Sequence, residues 1–249
     1  MNCSPSFDRT RVTLFFLTAA SSLVIGAGAG ETTLPRFEIE KCDDSVVDSE
    51  ALNFLDAPFQ EWSQGPNGLS FQQDAIASFG GYQYATYWDA DRLLCVGRRK
   101  LPRGPWEVIR FGDYRIKSND VHNVTVLGIC PRDGTIHLAF DHHNDPLHYR
   151  VSQIGAALHP GRVAWAADLF GKVLTKLPSQ EKIPNRPLTY PRFFRAPDGN
   201  LQLYFRLGGS GDGDSHLARY ESDSGQWTYQ GAFISRQVSF PSNIITAAP

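Results

Sequence analysis

What the chain lacks narrows its function first. Charge of one sign is missing: 24 Lys and Arg stand against 26 Asp and Glu, a net charge of −2. With no basic excess to neutralise a phosphate backbone, nucleic acid is not an expected partner. Long hydrophobic runs are missing beyond the first thirty residues, so no later segment is expected to span a bilayer. Cysteine is scarce, at 4 residues, and neither a CxxC pair nor a Cys/His ligand spacing occurs. Zinc cannot be argued from spacing, and no cofactor is identified. Compositional bias is missing too. With 41% hydrophobic and 20% charged residues, 22 Gly and 16 Pro, intrinsic disorder, collagen-like and coiled-coil structure are excluded. What remains is a globular chain of 249 residues, enough for one large domain or two small ones.

The first segment reads as an address. Arg9 and Arg11 precede an apolar run from Val12 to Ile25, and the small residues Gly26 to Gly30 follow. A positive start, a short apolar stretch and the exit Ala27-Gly28-Ala29 describe a secretory signal over 1–29, cleaved near Ala29. A membrane anchor is the competing reading, but the run is too short and too interrupted for it. The mature protein is expected to be secreted, extracellular and free of the membrane. An oxidising compartment permits one disulfide among Cys42, Cys95 and Cys130. Asn123-Val124-Thr125 is a glycosylation sequon inside an expected strand, beside His122, which argues against occupancy.

The rest is patterned as strands. A polar, irregular segment is expected over 30–78, strands over 79–240 and a tail over 241–249. Expected strands are Tyr82 to Trp88, Leu93 to Val96, Trp106 to Phe111, Val121 to Ile129, Ile136 to His142 and Leu147 to Val151. A second set follows: a strand near Tyr190, then Leu201 to Arg206, His216 to Tyr220 and Trp227 to Phe233. Ala156 to Val173 could hold a short helix or a loop. Asp133-Gly134 and Asp198-Gly199 head two similar units, in which Thr-Ile-His-Leu-Ala-Phe aligns with Asn-Leu-Gln-Leu-Tyr-Phe. Weak repetition of strand, Asp-Gly turn and strand points to an all-β fold, a β-propeller of four-stranded antiparallel blades. An ordinary sandwich with Asp-Gly hairpins is the alternative. Glu221 to Trp227 is a poor copy of the Asp-box turn of sialidase-like propellers.

The densest polar cluster runs from Phe140 to Arg150 and contains His142 and His143. Neighbouring residues on a strand face opposite ways, so only one of the two histidines shares a face with Leu138 and Phe140, and that is His142. If 121–129 and 136–142 form a hairpin, His122 meets the 142–143 pair at one rim. By the same geometry Tyr190 opens a strand and Arg206 closes its partner. Two histidines, a tyrosine and an arginine could converge there. Imidazole is an acid or base near neutrality, and guanidinium offers a fork to a carboxylate. His137, His148, His159 and His216 read as surface or packing residues. The loop Gly208 to Asp214 carries two carboxylates, too few for calcium, and is expected to be a flexible lip of the site.

These residues carry a resemblance. His122-Asn123, Asp133 to Leu138, Phe140 to Asn144, Pro146 to Arg150, Thr189 to Phe193 and Gly208 to Gly211 resemble the BNR-repeat family. That family includes the ulvan lyases of polysaccharide lyase families 24 and 25, which are seven-bladed propellers. The likeness covers about residues 80 to 235. It implies β-elimination on a uronate-containing acidic polysaccharide, with His122, His142 or His143, Tyr190 and Arg206 as the site. Arg206 and one histidine of the 142–143 pair would hold the carboxylate. Tyr190 and His122 would serve as base and acid, in an order left open, as is the choice between His142 and His143. The family's structural zinc site has no matching ligands here.

Two other readings compete: a non-catalytic propeller that binds acidic polysaccharide or another glycan, and a sialidase-like glycoside hydrolase. The hydrolase is disfavoured because the rim is rich in His, with only Asp141 and Asp145 nearby. Roughly 220 residues after signal cleavage suggest about four blades of seven. An open arc with an unpaired, association-prone edge is expected.

Overall fold

The structure is a computed structural model, which describes residues 44–53, 65–69, 72, 74–179, 186–209 and 211–235. The expected signal segment, Cys42 and the tail lie outside the described residues. Among those described, no helix is long and apolar enough to cross a membrane.

Three antiparallel sheets make up the fold. The first runs in chain order through β1 (Ile76–Phe79), β2 (Tyr82–Trp88), β3 (Leu93–Lys100) and β4 (Glu107–Arg115). Its opening hairpin is fixed by Gly80 and Gly81, both at positive φ (58° and 77°), which a two-residue turn matched to strand twist requires. The second sheet contains β5 (Thr125–Ile129), β6 (Ile136–Phe140) and β8 (Tyr149–Val151). The third has β9 (Leu188–Arg195), β10 (Leu201–Leu207), β11 (Asp214–Glu221) and β12 (Gln226–Ile234), with β7 (His143–Asp145) added beside β9. Thus β7 leaves the sheet of its chain neighbours and joins the next one.

The second sheet has three strands, where blades of four were expected. In place of an outer strand, Leu174 bridges Tyr149 and Phe170 bridges Ser152. The segment between holds two 3₁₀ turns, Pro160–Arg162 and Ala167–Leu169. About four blades were expected from length; the described residues form three sheets.

The middle sheet is buried on both faces, which explains its continuous apolar character. Strand periodicity divides it. Ile136, Leu138 and Phe140 enter one core with Trp88, Leu94 and Phe111 of the first sheet. Ala139, Val126 and Tyr149 enter a second core with Phe193, Phe205 and Trp227 of the third. Each large apolar side chain so buried contributes roughly 1.5–3 kcal/mol. Strand β5 passes so close to β9 that a Cβ at Gly128 would lie 2.5 Å from Phe193. Only glycine fits there. Cys95 and Cys130 are buried free thiols, so no disulfide joins them.

Candidate active site

Both expected hairpins form. Thr125 pairs with Phe140, which sets the residues before β5 beside those after β6. Thr189 pairs with Arg206, which sets Tyr190 beside the end of β10. The expected strand ends, however, are cut short by local chemistry. Residues 121–124 are a turn because Asp120 caps it, its Oδ1 accepting the His122 backbone N–H at 2.9 Å. β6 stops at Phe140 because Asp141 takes a left-handed φ of 63°, and Asn144 follows at 66°. These two bends, not strand alternation, decide where the adjacent histidines point.

His142 turns inward. It is buried, and its Nε2 accepts the backbone N–H of His148 at 2.7 Å. Burial, reinforced by His148, holds its pKa well below the ordinary imidazole value. His143 turns outward and stacks on His122, with ring centroids 4.3 Å apart. Tyr190 completes the cluster, 5.7 Å from His143 and 6.1 Å from His122 between centroids. The guanidinium carbon of Arg206 lies 5.9 Å from the Tyr190 ring centre. Four of the five expected residues therefore meet, and His142 is kept apart by packing.

Tyr190 stands in the left-handed region (φ 53°) inside a strand, where the register of β9 against β10 shifts. Such a bulge costs about 1–3 kcal/mol of backbone strain and re-aims a side chain. Gly213 closes the loop over Arg206. A Cβ there would lie 2.4 Å from the Arg206 Cγ and 2.6 Å from the Leu207 carbonyl oxygen.

A polar scaffold behind the rim fixes the bends. Asn123 Nδ2 donates to Asp141 Oδ1 (2.5 Å) and Asp145 Oδ2 (3.0 Å). Tyr114 O–H donates to Asp141 Oδ2 at 2.5 Å, and the His143 backbone N–H to Asp145 Oδ2 at 3.1 Å. Burial, together with the bond to Asp141, raises the Tyr114 pKa, so it stays a donor. The same contacts bear on the sequon. The nitrogen that would carry a glycan is buried and donates twice, leaving no room for one in the folded protein.

One rim residue escaped the sequence reading. Asp120 accepts from His122 Nδ1 through Oδ1 (2.6 Å) and from His143 Nδ1 through Oδ2 (2.5 Å). Burial alone would raise its pKa, but the His122 backbone N–H and the two imidazoles outweigh it and hold the carboxyl below its usual value. The signal was there: an Asp two residues before a His at a turn is an Asx-turn pattern. Donor atoms of Asp120, His122 and His143 lie within 4.8 Å of one another, a spacing a cation could also use. The carboxylate already satisfies both Nδ1 atoms, and we assign no ion.

Comparison with known proteins follows the same residues. A model of the BNR repeat-containing family matches residues 82–242. The chain belongs to the BNR repeat-containing family. It is 28% identical over 201 residues to an ulvan lyase, long isoform, of Alteromonas sp. (strain LOR), covering 66% of this chain and 20% of that protein. It is 24% identical to the short-isoform ulvan lyase of the same organism, covering 64% of this chain and 38% of that one. Among solved structures it resembles polysaccharide lyase Uly1, with TM-score 0.60 and 23% identity over 77% of this chain and 46% of that chain. The chain thus matches less than half the length of each of these relatives. The BNR-repeat, ulvan-lyase-like character expected from the motifs is what the comparisons show.

Proposed function

We propose that the three sheets are blades of a β-propeller, and that the chain is a secreted polysaccharide-lyase-like protein acting by β-elimination on a uronate-containing acidic polysaccharide. The observation that carries this reading is the meeting of His122, His143, Tyr190 and Arg206 at one rim. The likeness to ulvan lyases supports it. The C5 proton of a uronate is too weakly acidic to be removed until the C6 carboxylate is neutralised. Arg206 supplies a guanidinium fork, and His143 a second donor. A base then takes the C5 proton, the electron pair forms the C4–C5 double bond, and the C4–O bond breaks. An acid returns a proton to the departing oxygen. Tyr190 and His122 share those two tasks. The strained backbone at Tyr190 fits a residue held ready for chemistry.

The test is incubation with a panel of uronate-containing glycans, ulvan included, following ultraviolet absorbance of unsaturated products. New absorbance is expected, and none across the panel overturns the reading. A second reading is a propeller that binds glycan without turnover. It requires measurable affinity with chromatographically unchanged polysaccharide.

A further inference from the structure

We propose that Asp120 is the positioning residue of the rim, fixing both histidines in the Nδ1–H form with Nε2 toward the ligand. The inference rests on the lyase reading for its catalytic consequence, though not for its geometry. An ionised carboxylate only accepts hydrogen bonds, so the two nitrogens at 2.6 and 2.5 Å from its oxygens must both carry protons. Each ring is thereby set as the Nδ1–H form, and Nε2 is left as the nitrogen that changes protonation. His143 shows this plainly: its Nε2 makes no hydrogen bond among the described residues.

The rings stack at 4.3 Å with one carboxylate bridging them. The nearby acids Asp141 and Asp145 are both engaged by Asn123, and Asp141 also by Tyr114, whereas Asp120 bonds both rings. The consequence is that the two imidazoles are held in the same tautomer and the same relative orientation by a single acid.

The experiment is nitrogen-15 NMR of the imidazoles in the whole chain, with His122→Gln and His143→Gln for assignment, in wild type, Asp120→Asn and Asp120→Glu. Asparagine still accepts the His122 backbone N–H but offers one ring a donor where that ring needs an acceptor. Wild type is expected to show both rings as Nδ1–H. In Asp120→Asn at least one ring should change tautomer, with Asp120→Glu restoring it. Both tautomers unchanged in Asp120→Asn would overturn the proposal. No substrate is needed for this readout, so it stands or falls separately from lyase activity.

Discussion

Two clusters in this protein use the same three residue types, His, Tyr and Asp, to opposite ends. One is the rim of His122, His143, Tyr190 and Asp120. The other joins the second and third sheets in the dry core. There Trp227 Nε1 donates to Tyr149 Oη (3.3 Å), and Tyr149 and His137 Nδ1 lie 2.6 Å apart. His137 Nε2 meets Thr135 Oγ1 at 2.7 Å, and Thr135 donates to Asp133 Oδ1 at 2.7 Å. Tyr220 closes the chain on Asp133 Oδ2 at 2.8 Å. From Trp227 to Asp133 the donors run one way, Tyr220 meets them from the other side, and both nitrogens of His137 are used. The decisive difference is one hydroxyl. Thr135 separates the core imidazole from its carboxylate, whereas Asp120 touches both rim imidazoles directly. Burial pushes the His137 pKa down to about 3, only partly opposed by Asp133, and the ring stays neutral. The rim rings, with side chains 36% and 21% exposed, keep a carboxylate partner and a face toward solvent. The core cluster spends its polar groups on adhesion, and the proposed function gives those of the rim to chemistry.

Exchanging the two tyrosines tests that contrast most severely. On the proposed mechanism Tyr190→Phe removes a proton-transfer group and should lower turnover about 10²–10⁴-fold with little change in unfolding midpoint. Tyr149→Phe should do the reverse. It strands His137 Nδ1, costing about 1–3 kcal/mol in chemical denaturation, while the surviving folded protein should keep any lyase activity. If both variants behave alike, the two clusters are not functionally distinct.

A smaller effect is expected from the loop over Arg206. In Gly213→Ala the new methyl would overlap the Arg206 stem and the Leu207 carbonyl oxygen. Misplacement of the guanidinium by about 1 Å should cost up to roughly 10²-fold in kcat/KM. Because the methyl also meets the Leu207 carbonyl oxygen, stability should fall as well, so kcat/KM is to be measured on the folded fraction. An unchanged kcat/KM would mean that Arg206 tolerates displacement and is not a precise clamp.

Strands were legible in the sequence because their alternation and Asp-Gly turns are local signals. Tyr82–Trp88 stands as expected, and β9 to β12 differ from expectation mainly at their ends. What stayed hidden is what depends on bends. Tyr190 carries a side chain that ordinarily avoids the left-handed region, and Asp141 and Asn144, whose types tolerate it, stand among other turn-forming residues, so identity alone does not place the bends. Hence His142 and His143 could not be told apart from strand parity, and β7, which changes sheets after Asp141, was not foreseen. The rim itself was legible because hairpin pairing places strand ends together whatever the bends do. Asp120 was overlooked because it lies outside any strand and earns its role only once two distant rings are brought to it.

The smallest effect separates the clusters by acid. His137 and His142 have folded pKa values depressed by burial, so the unfolded chain binds protons that the folded one refuses. Their contribution is fully present above pH 6.5 and is lost as pH falls toward the folded values. Over that window each adds a slope of up to about 1.4 kcal/mol per pH unit to the unfolding free energy. Asp120 has the same sign but lies lower, its contribution present above its unfolded carboxyl value near pH 3.8 and fading below it. Denaturant unfolding between pH 7 and 5 should therefore show falling stability that His137→Gln makes shallower. If His137→Gln leaves that slope unchanged, the core histidine is not the group that refuses the proton.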